Sequence, residues 1–203
     1  MKNFEIFRDV IVGPWNTSGE DVQWKTLLID DTPYLVFQGS NSDIDWRNNF
    51  RFAVVVYKNQ ESKLLAHRGF VRAWKSCNDE VMNSFIELCN KTDKTPIITG
   101  HSFGGAMSVL ASEDFYYRTK RKTNVITFGA PKVLWGKDSV NYVLTCADFT
   151  MYSQNNDIVP KCPPICGYKH PNQTMIGDKF NIFKLIKTAD YHQLYDVESE
   201  FLK

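Results

Sequence analysis

One pentapeptide constrains the fold of this chain more than any other part of it. Gly100-His101-Ser102-Phe103-Gly104 fits Gly-x-Ser-x-Gly and lies between Pro96-Ile97-Ile98-Thr99, a short apolar run, and a stretch over 106–118 rich in alanine, methionine, leucine and aromatics. The first reads as a buried strand and the second as a helix, so residues 100–105 must turn the chain sharply from one into the other. Any side chain at Gly100 or Gly104 would crowd the neighbouring strand and helix, and the serine between them is expected to sit in a strained turn that lifts its hydroxyl clear of the sheet.

The same alternation continues on both sides. Runs of β type at 23–29 and 34–38 flank Asp30-Asp31-Thr32-Pro33, a turn cluster, and read as an antiparallel pair. Residues 52–57 form a buried-strand run. Phe70, Ala73, Trp74, Cys77, Val81, Phe85 and Leu88 recur at the three-and-four spacing of one amphipathic helix over 70–91. Further strands are expected at 124–128 and 149–153, with a helix over 138–146 between them. The 203 residues show no repeat, low-complexity tract or compositional break, so 1–203 reads as one compact domain. The expected fold class is α/β: a mostly parallel sheet with helices on both faces, and ligand sites at the carboxyl ends of the strands.

Composition excludes several kinds of partner. Twenty-four Lys and Arg stand against 23 Asp and Glu, a formal net charge of +1, so no global field draws in nucleic acid. The basic cluster Arg118-Thr119-Lys120-Arg121-Lys122 falls at the end of the predicted helix, where cations oppose the dipole. No apolar run reaches the roughly 20 residues of a membrane helix. The first residues, Met1-Lys2-Asn3-Phe4-Glu5-Ile6-Phe7-Arg8-Asp9, carry charges where a signal peptide would be apolar. A cytoplasmic or otherwise intracellular location is therefore expected. Five cysteines, an odd number and scattered apart from Cys162-Pro163-Pro164-Ile165-Cys166, read as reduced thiols, with a local Cys162–Cys166 disulfide as the alternative. Cys162, Cys166 and His170 make a poor zinc set, because the prolines forbid one helical face and a fourth ligand is missing. Neither a metal nor a cofactor is expected.

A serine hydroxyl is a weak nucleophile at neutral pH, and needs an imidazole to take its proton and a carboxylate to orient that imidazole. Ser102 is the candidate nucleophile. Of the four histidines, His101 adjoins it but points away at such a turn, and His67 precedes both the serine and a helix, against the Ser, Asp, His chain order expected of this architecture. His192, in Asp190-Tyr191-His192-Gln193 near the end of the chain, is the expected base. His170 is the alternative, better suited to a wall of the site or to a place behind it. Asp157 follows an apolar strand in Asn155-Asn156-Asp157-Ile158-Val159-Pro160 and is the expected acid, a solvated loop aspartate being the bland reading; Asp148, Asp178 and Asp190 fit less well. The Phe103 amide, at the start of the helix, is one candidate oxyanion donor. Ser40, ending Phe37-Gln38-Gly39-Ser40, offers an amide and a hydroxyl as the second.

These segments together resemble the class 3 lipase family, the fungal-lipase-like branch of the α/β hydrolases. The resemblance runs over roughly 35–194 and rests on Val36-Phe37-Gln38-Gly39-Ser40, Asp45-Trp46-Arg47-Asn48-Asn49-Phe50, His67-Arg68-Gly69-Phe70, the glycine–serine turn, Thr127-Phe128-Gly129-Ala130-Pro131-Lys132-Val133, Asn156-Asp157-Ile158-Val159-Pro160 and Asp190-Tyr191-His192, in the family's order. It implies an α/β-hydrolase fold and a serine carboxylic ester hydrolase of lipase, esterase or phospholipase type. Ser102, Asp157 and His192 would form its triad, and Ser40 with Phe103 its oxyanion hole. It also implies a lid over 41–50, anchored by Trp46, with a core tryptophan as the competing reading. The implied partner is a lipid or small ester, met at a membrane surface or in solution.

Two departures stand out. Gln38 occupies a position where the family usually has arginine, and the chain lacks the paired cysteines of secreted members. Both suggest a pared-down intracellular form acting on a membrane-derived or smaller ester rather than on triglyceride. Two alternatives share these residues: a non-catalytic lipase-like binding module, and a serine hydrolase acting on a thioester or peptide.

Overall fold

The computed structural model describes residues 12–39, 53–58 and 63–177. Strands β1 (Asn16–Ser18), β2 (Val22–Ile29) and β3 (Thr32–Phe37) form an antiparallel edge. Between β2 and β3, Asp30 and Asp31 take φ values of 47° and 61°, the left-handed pair that a tight hairpin demands and that aspartate tolerates better than most side chains. β3 then pairs in parallel with β6 (Ile97–His101), β6 with β7 (Thr123–Phe128), β7 with β9 (Ala147–Gln154), and β9 with β11 (Thr174–Ile176). Among the described residues this sheet has seven strands in the order β1-β2-β3-β6-β7-β9-β11 and is mostly parallel. A smaller antiparallel sheet contains β4 (Val54–Lys58), β5 (Lys63–His67), β8 (Leu134–Trp135) and β10 (Tyr168–Lys169). The α/β class expected from the sequence is the class observed.

The described helices are α1 (Arg68–Lys75), α2 (Asn78–Cys89), α3 (Phe103–Thr119) and α4 (Gly136–Cys146). Helix α3 packs on β3, β6, β7 and β9 and touches the other three helices. It is buried almost all round from Gly104 to Phe115, which explains its small and apolar composition. Side chains alternate along β3: Leu35 and Phe37 join the main core with Trp74, Phe85, Met107 and Leu110, while Tyr34 and Val36 face the other way with Phe128.

The single helix expected over 70–91 is two. Helix α1 ends at Lys75 and α2 begins at Asn78, with Cys77 between them at φ −135° and ψ −7°. Ser76 makes the break, because its hydroxyl donates to the Ala73 carbonyl at 2.7 Å and accepts from the Glu20 amide at 2.9 Å. Such side-chain bonds compete with helical pairing. The apolar spacing continues across the break, with Trp74, Cys77 and Val81 all buried, and periodicity alone could not reveal it. The basic cluster does end its helix: Lys120 caps α3 in the left-handed region at φ 58°, and Arg118 is held by Asp114 and Asp79 at 2.7 and 2.6 Å.

Candidate active site

The turn at Ser102 is tighter than expected. β6 runs through His101 and α3 starts at Phe103, so one residue reverses the chain, at φ 54° and ψ −121°. A non-glycine residue held at positive φ costs on the order of 1–3 kcal/mol and persists only where its surroundings over-determine it. They do so here. A Cβ on Gly100 would overlap the Gly104 carbonyl and lie 2.9 Å from the Gly105 nitrogen; one on Gly104 would overlap the Phe37 carbonyl oxygen and lie 2.8 Å from that of Gln38. Both close approaches therefore require glycine. The Ser102 amide donates to the Phe128 carbonyl at 2.9 Å, and its own carbonyl accepts from Gly105. Ser102 is buried, with 3% of its surface exposed, at the positive end of a 17-residue helix. Phe103 contributes the first amide of that helix, a group with no intrahelical acceptor.

The end of β3 reaches the same place. A Cβ on Gly39 would lie 3.4 Å from His101 Nδ1 and 3.7 Å from the Ser102 Cβ, so Gly39 passes beside the serine. Ser40 itself, 41–50 with Trp46, and His192 lie outside the described residues. The Gln38 side-chain oxygen is buried without a partner among the described residues, the position where the family's usual arginine would have placed a charge.

Asp157 follows β9 as Ser102 follows β6, with β7 between them in the sheet. Strand spacing of about 4.8 Å puts the two loops roughly 10 Å apart along one carboxyl edge. Asp157 is fully buried, and its Oδ1 accepts from the Val159 amide at 2.8 Å. A short 3₁₀ turn, Val159–Lys161, follows. Burial lowers the pKa of Lys161 and the Asp157 carboxylate opposes that shift.

The described histidines are placed differently from the serine and aspartate. His67 caps α1, accepting from the Gly69 amide at 3.2 Å, and desolvation pulls its pKa down to about 4. Its ring stands 4.6 Å from Phe70, and Phe70 stands 6.0 Å from Phe103, so an aromatic wall runs up to the serine turn. His101 extends toward Gly39. His170 Nε2 lies 2.8 Å from the Pro160 carbonyl, and burial pulls its pKa down to about 4, partly opposed by that hydrogen bond. His170 is thus tied to the backbone behind Asp157. No three His, Cys, Asp or Glu side chains among the described residues are grouped to hold a metal ion, and none of the described helices is long and apolar enough to cross a membrane. Cys162 and Cys166 are both reduced.

The model of the family Lipase (class 3) matches residues 34–166. The lipase of Rhizomucor miehei is 28% identical over 169 residues, covering 74% of this chain and 46% of its own length. Secreted mono- and diacylglycerol lipase A of Penicillium cyclopium is 27% identical over 141 residues, covering 67% of this chain and 45% of its own. Among solved structures, a triacylglycerol lipase whose catalytic centre is formed by a serine protease triad superposes with a TM-score of 0.72 at 25% identity, covering 81% of this chain and 66% of that one. The chain spans about half the length of the curated relatives it matches. The expected cytoplasmic or intracellular location is corrected by these relatives: the Penicillium protein is by name secreted, which points outside the cell.

Proposed function

The chain belongs to the class 3 lipase family, and from that premise we propose that it is a serine-dependent carboxylic ester hydrolase acting on lipid esters. The observation that carries this reading is the backbone of Ser102, held at φ 54° between a strand and a buried helix, because such strain is retained where it positions a reacting group. Ser102 attacks the ester carbonyl and His192 takes its proton. Asp157 holds the imidazole in the tautomer that can accept it. The oxyanion forms against the Phe103 amide and the Ser40 amide and hydroxyl. The alcohol leaves with the proton held by His192, and water then releases the acyl group from Ser102.

The names of the relatives, a lipase and a mono- and diacylglycerol lipase, favour acylglycerol-type esters presented at a lipid surface. We prefer such esters to the membrane-derived or smaller ester that an intracellular setting suggests. Ser102→Ala should lower turnover of p-nitrophenyl esters by at least about 10⁴-fold, and a fluorophosphonate should label wild type at Ser102. Retention of more than a few per cent of activity in Ser102→Ala overturns the assignment; a wild type that neither turns over esters nor takes the label is a binding module.

A further inference from the structure

Four consecutive backbone carbonyls just beyond Asp157 are all captured, and two residues capture them. His170 Nε2 donates to the Pro160 carbonyl at 2.8 Å. The Lys132 ammonium donates to the Lys161 and Pro163 carbonyls at 2.9 and 3.4 Å, and the Lys132 amide donates to the Cys162 carbonyl at 2.8 Å. The segment they hold begins with the 3₁₀ turn whose first amide, Val159, binds the Asp157 carboxylate. Loops ordinarily leave such carbonyls to water.

Both capturing groups come from elsewhere in the chain. Lys132 follows β7, the strand lying between those of Ser102 and Asp157, and Pro131 before it stiffens the approach. His170 follows β10. Its Nδ1 is buried without a partner among the described residues, so within them the neutral ring bonds through Nε2 alone. Lys132 is the charged group facing it, and opposes its protonation.

We propose that Lys132 and His170 are positioning residues that hold the segment 160–163 by its carbonyls and so fix the Asp157 carboxylate for catalysis. The proposal rests on the reading of Ser102 and Asp157 given above. It explains a lysine that the family resemblance included without a role, and it places His170 behind the acid rather than at the serine.

The test is steady-state kinetics normalised to the number of serines labelled by fluorophosphonate. Lys132→Met and His170→Ala should each lower kcat per labelled serine by roughly 10- to 100-fold, the usual effect of a catalytic group displaced by a fraction of an ångström to an ångström, with KM within about twofold. Lys132→Arg and His170→Gln, which restore an N–H donor, should recover most of the loss. A purely architectural role would reduce the fraction of labelled serine and leave kcat per labelled serine at the wild-type value; that result in both variants overturns the proposal while leaving the parent reading intact. If the wild-type protein shows neither ester turnover nor label, the parent reading falls and this proposal with it. Nitrogen-15 histidine NMR on wild type is independent of whether the variants fold. It should find His170 as the neutral Nε2–H tautomer at pH 6, and an Nδ1–H tautomer there overturns its part in the clamp.

Discussion

At Gly104 the absent side chain is a structural requirement: a methyl group there would meet the Phe37 carbonyl head on, and the backbone of β3 cannot yield without moving the candidate oxyanion strand. Gly104→Ala should cost about 3 kcal/mol, at the upper end of overpacking penalties, and a thermal melt should show a fall of roughly 6–12 °C. At the proposed acid, Asp157→Asn should keep the fold but lower kcat by about 10⁴-fold, because an amide selects the wrong imidazole tautomer. His192→Ala should cost at least as much, well beyond the loss expected at His170, and kinetics on the three variants separates the base from the residue behind the acid. Burial holds His67 neutral in the fold, with a pKa of about 4 against the ordinary 6.5. Between those values the unfolded chain binds a proton that the folded one refuses. The stability is therefore fully present above pH 6.5 and is lost as pH falls toward 4. Stability should fall over that window by an amount on the order of 1–2 kcal/mol, read from melts at several pH values, and His67→Asn should reduce the fall, since asparagine can still accept from Gly69 as a helix cap.

Between elements, the joint of α2 with α3 depends on one buried carboxylate. Asp114, with 2% of its side chain exposed, accepts from Arg118 Nε at 2.7 Å and from Asn78 Nδ2 at 3.1 Å. Asp79 reaches the same guanidinium from α2, at 2.6 Å, but its side chain is 83% exposed. The two distances are alike and the two contributions should not be. Removing Asp114 takes the acceptor from two part-buried donors, whereas removing Asp79 returns a solvated contact to water. Asp114→Ala should cost about 2 kcal/mol or more and Asp79→Ala less than about 0.5 kcal/mol, a contrast that parallel urea titrations would measure. The break between α1 and α2 has a similar origin. Ser76 leaves the helical pattern because Glu20 offers it a partner 56 positions away, and no local propensity carries that information.

Across the whole molecule, burial sorts the thiols. Cys77 and Cys89 are buried with pKa values pushed up to about 12, Cys146 is buried and shifted upward too, and Cys166 is exposed with Cys162 partly so. At pH 8 an aromatic disulfide reagent should therefore titrate two thiols quickly and three only as fast as the protein opens; five fast thiols would show that the core is not closed as described. Sequence by itself determined the α/β alternation, the β2–β3 hairpin and the turn at Ser102. Each depends on contacts near in the chain: apolar period, turn residues, and glycines between a strand and a helix. It also marked Ser102 and Asp157 as residues that follow apolar strands, because strand ends are recognisable one at a time. Tertiary structure alone decided the split at Ser76, the buried carboxylate at Asp114, and the seating of Lys132 and His170 on the carbonyls behind Asp157. Those outcomes depend on which distant backbone groups arrive unpaired, and a polar side chain shows its partner only once the sheet has brought the two together.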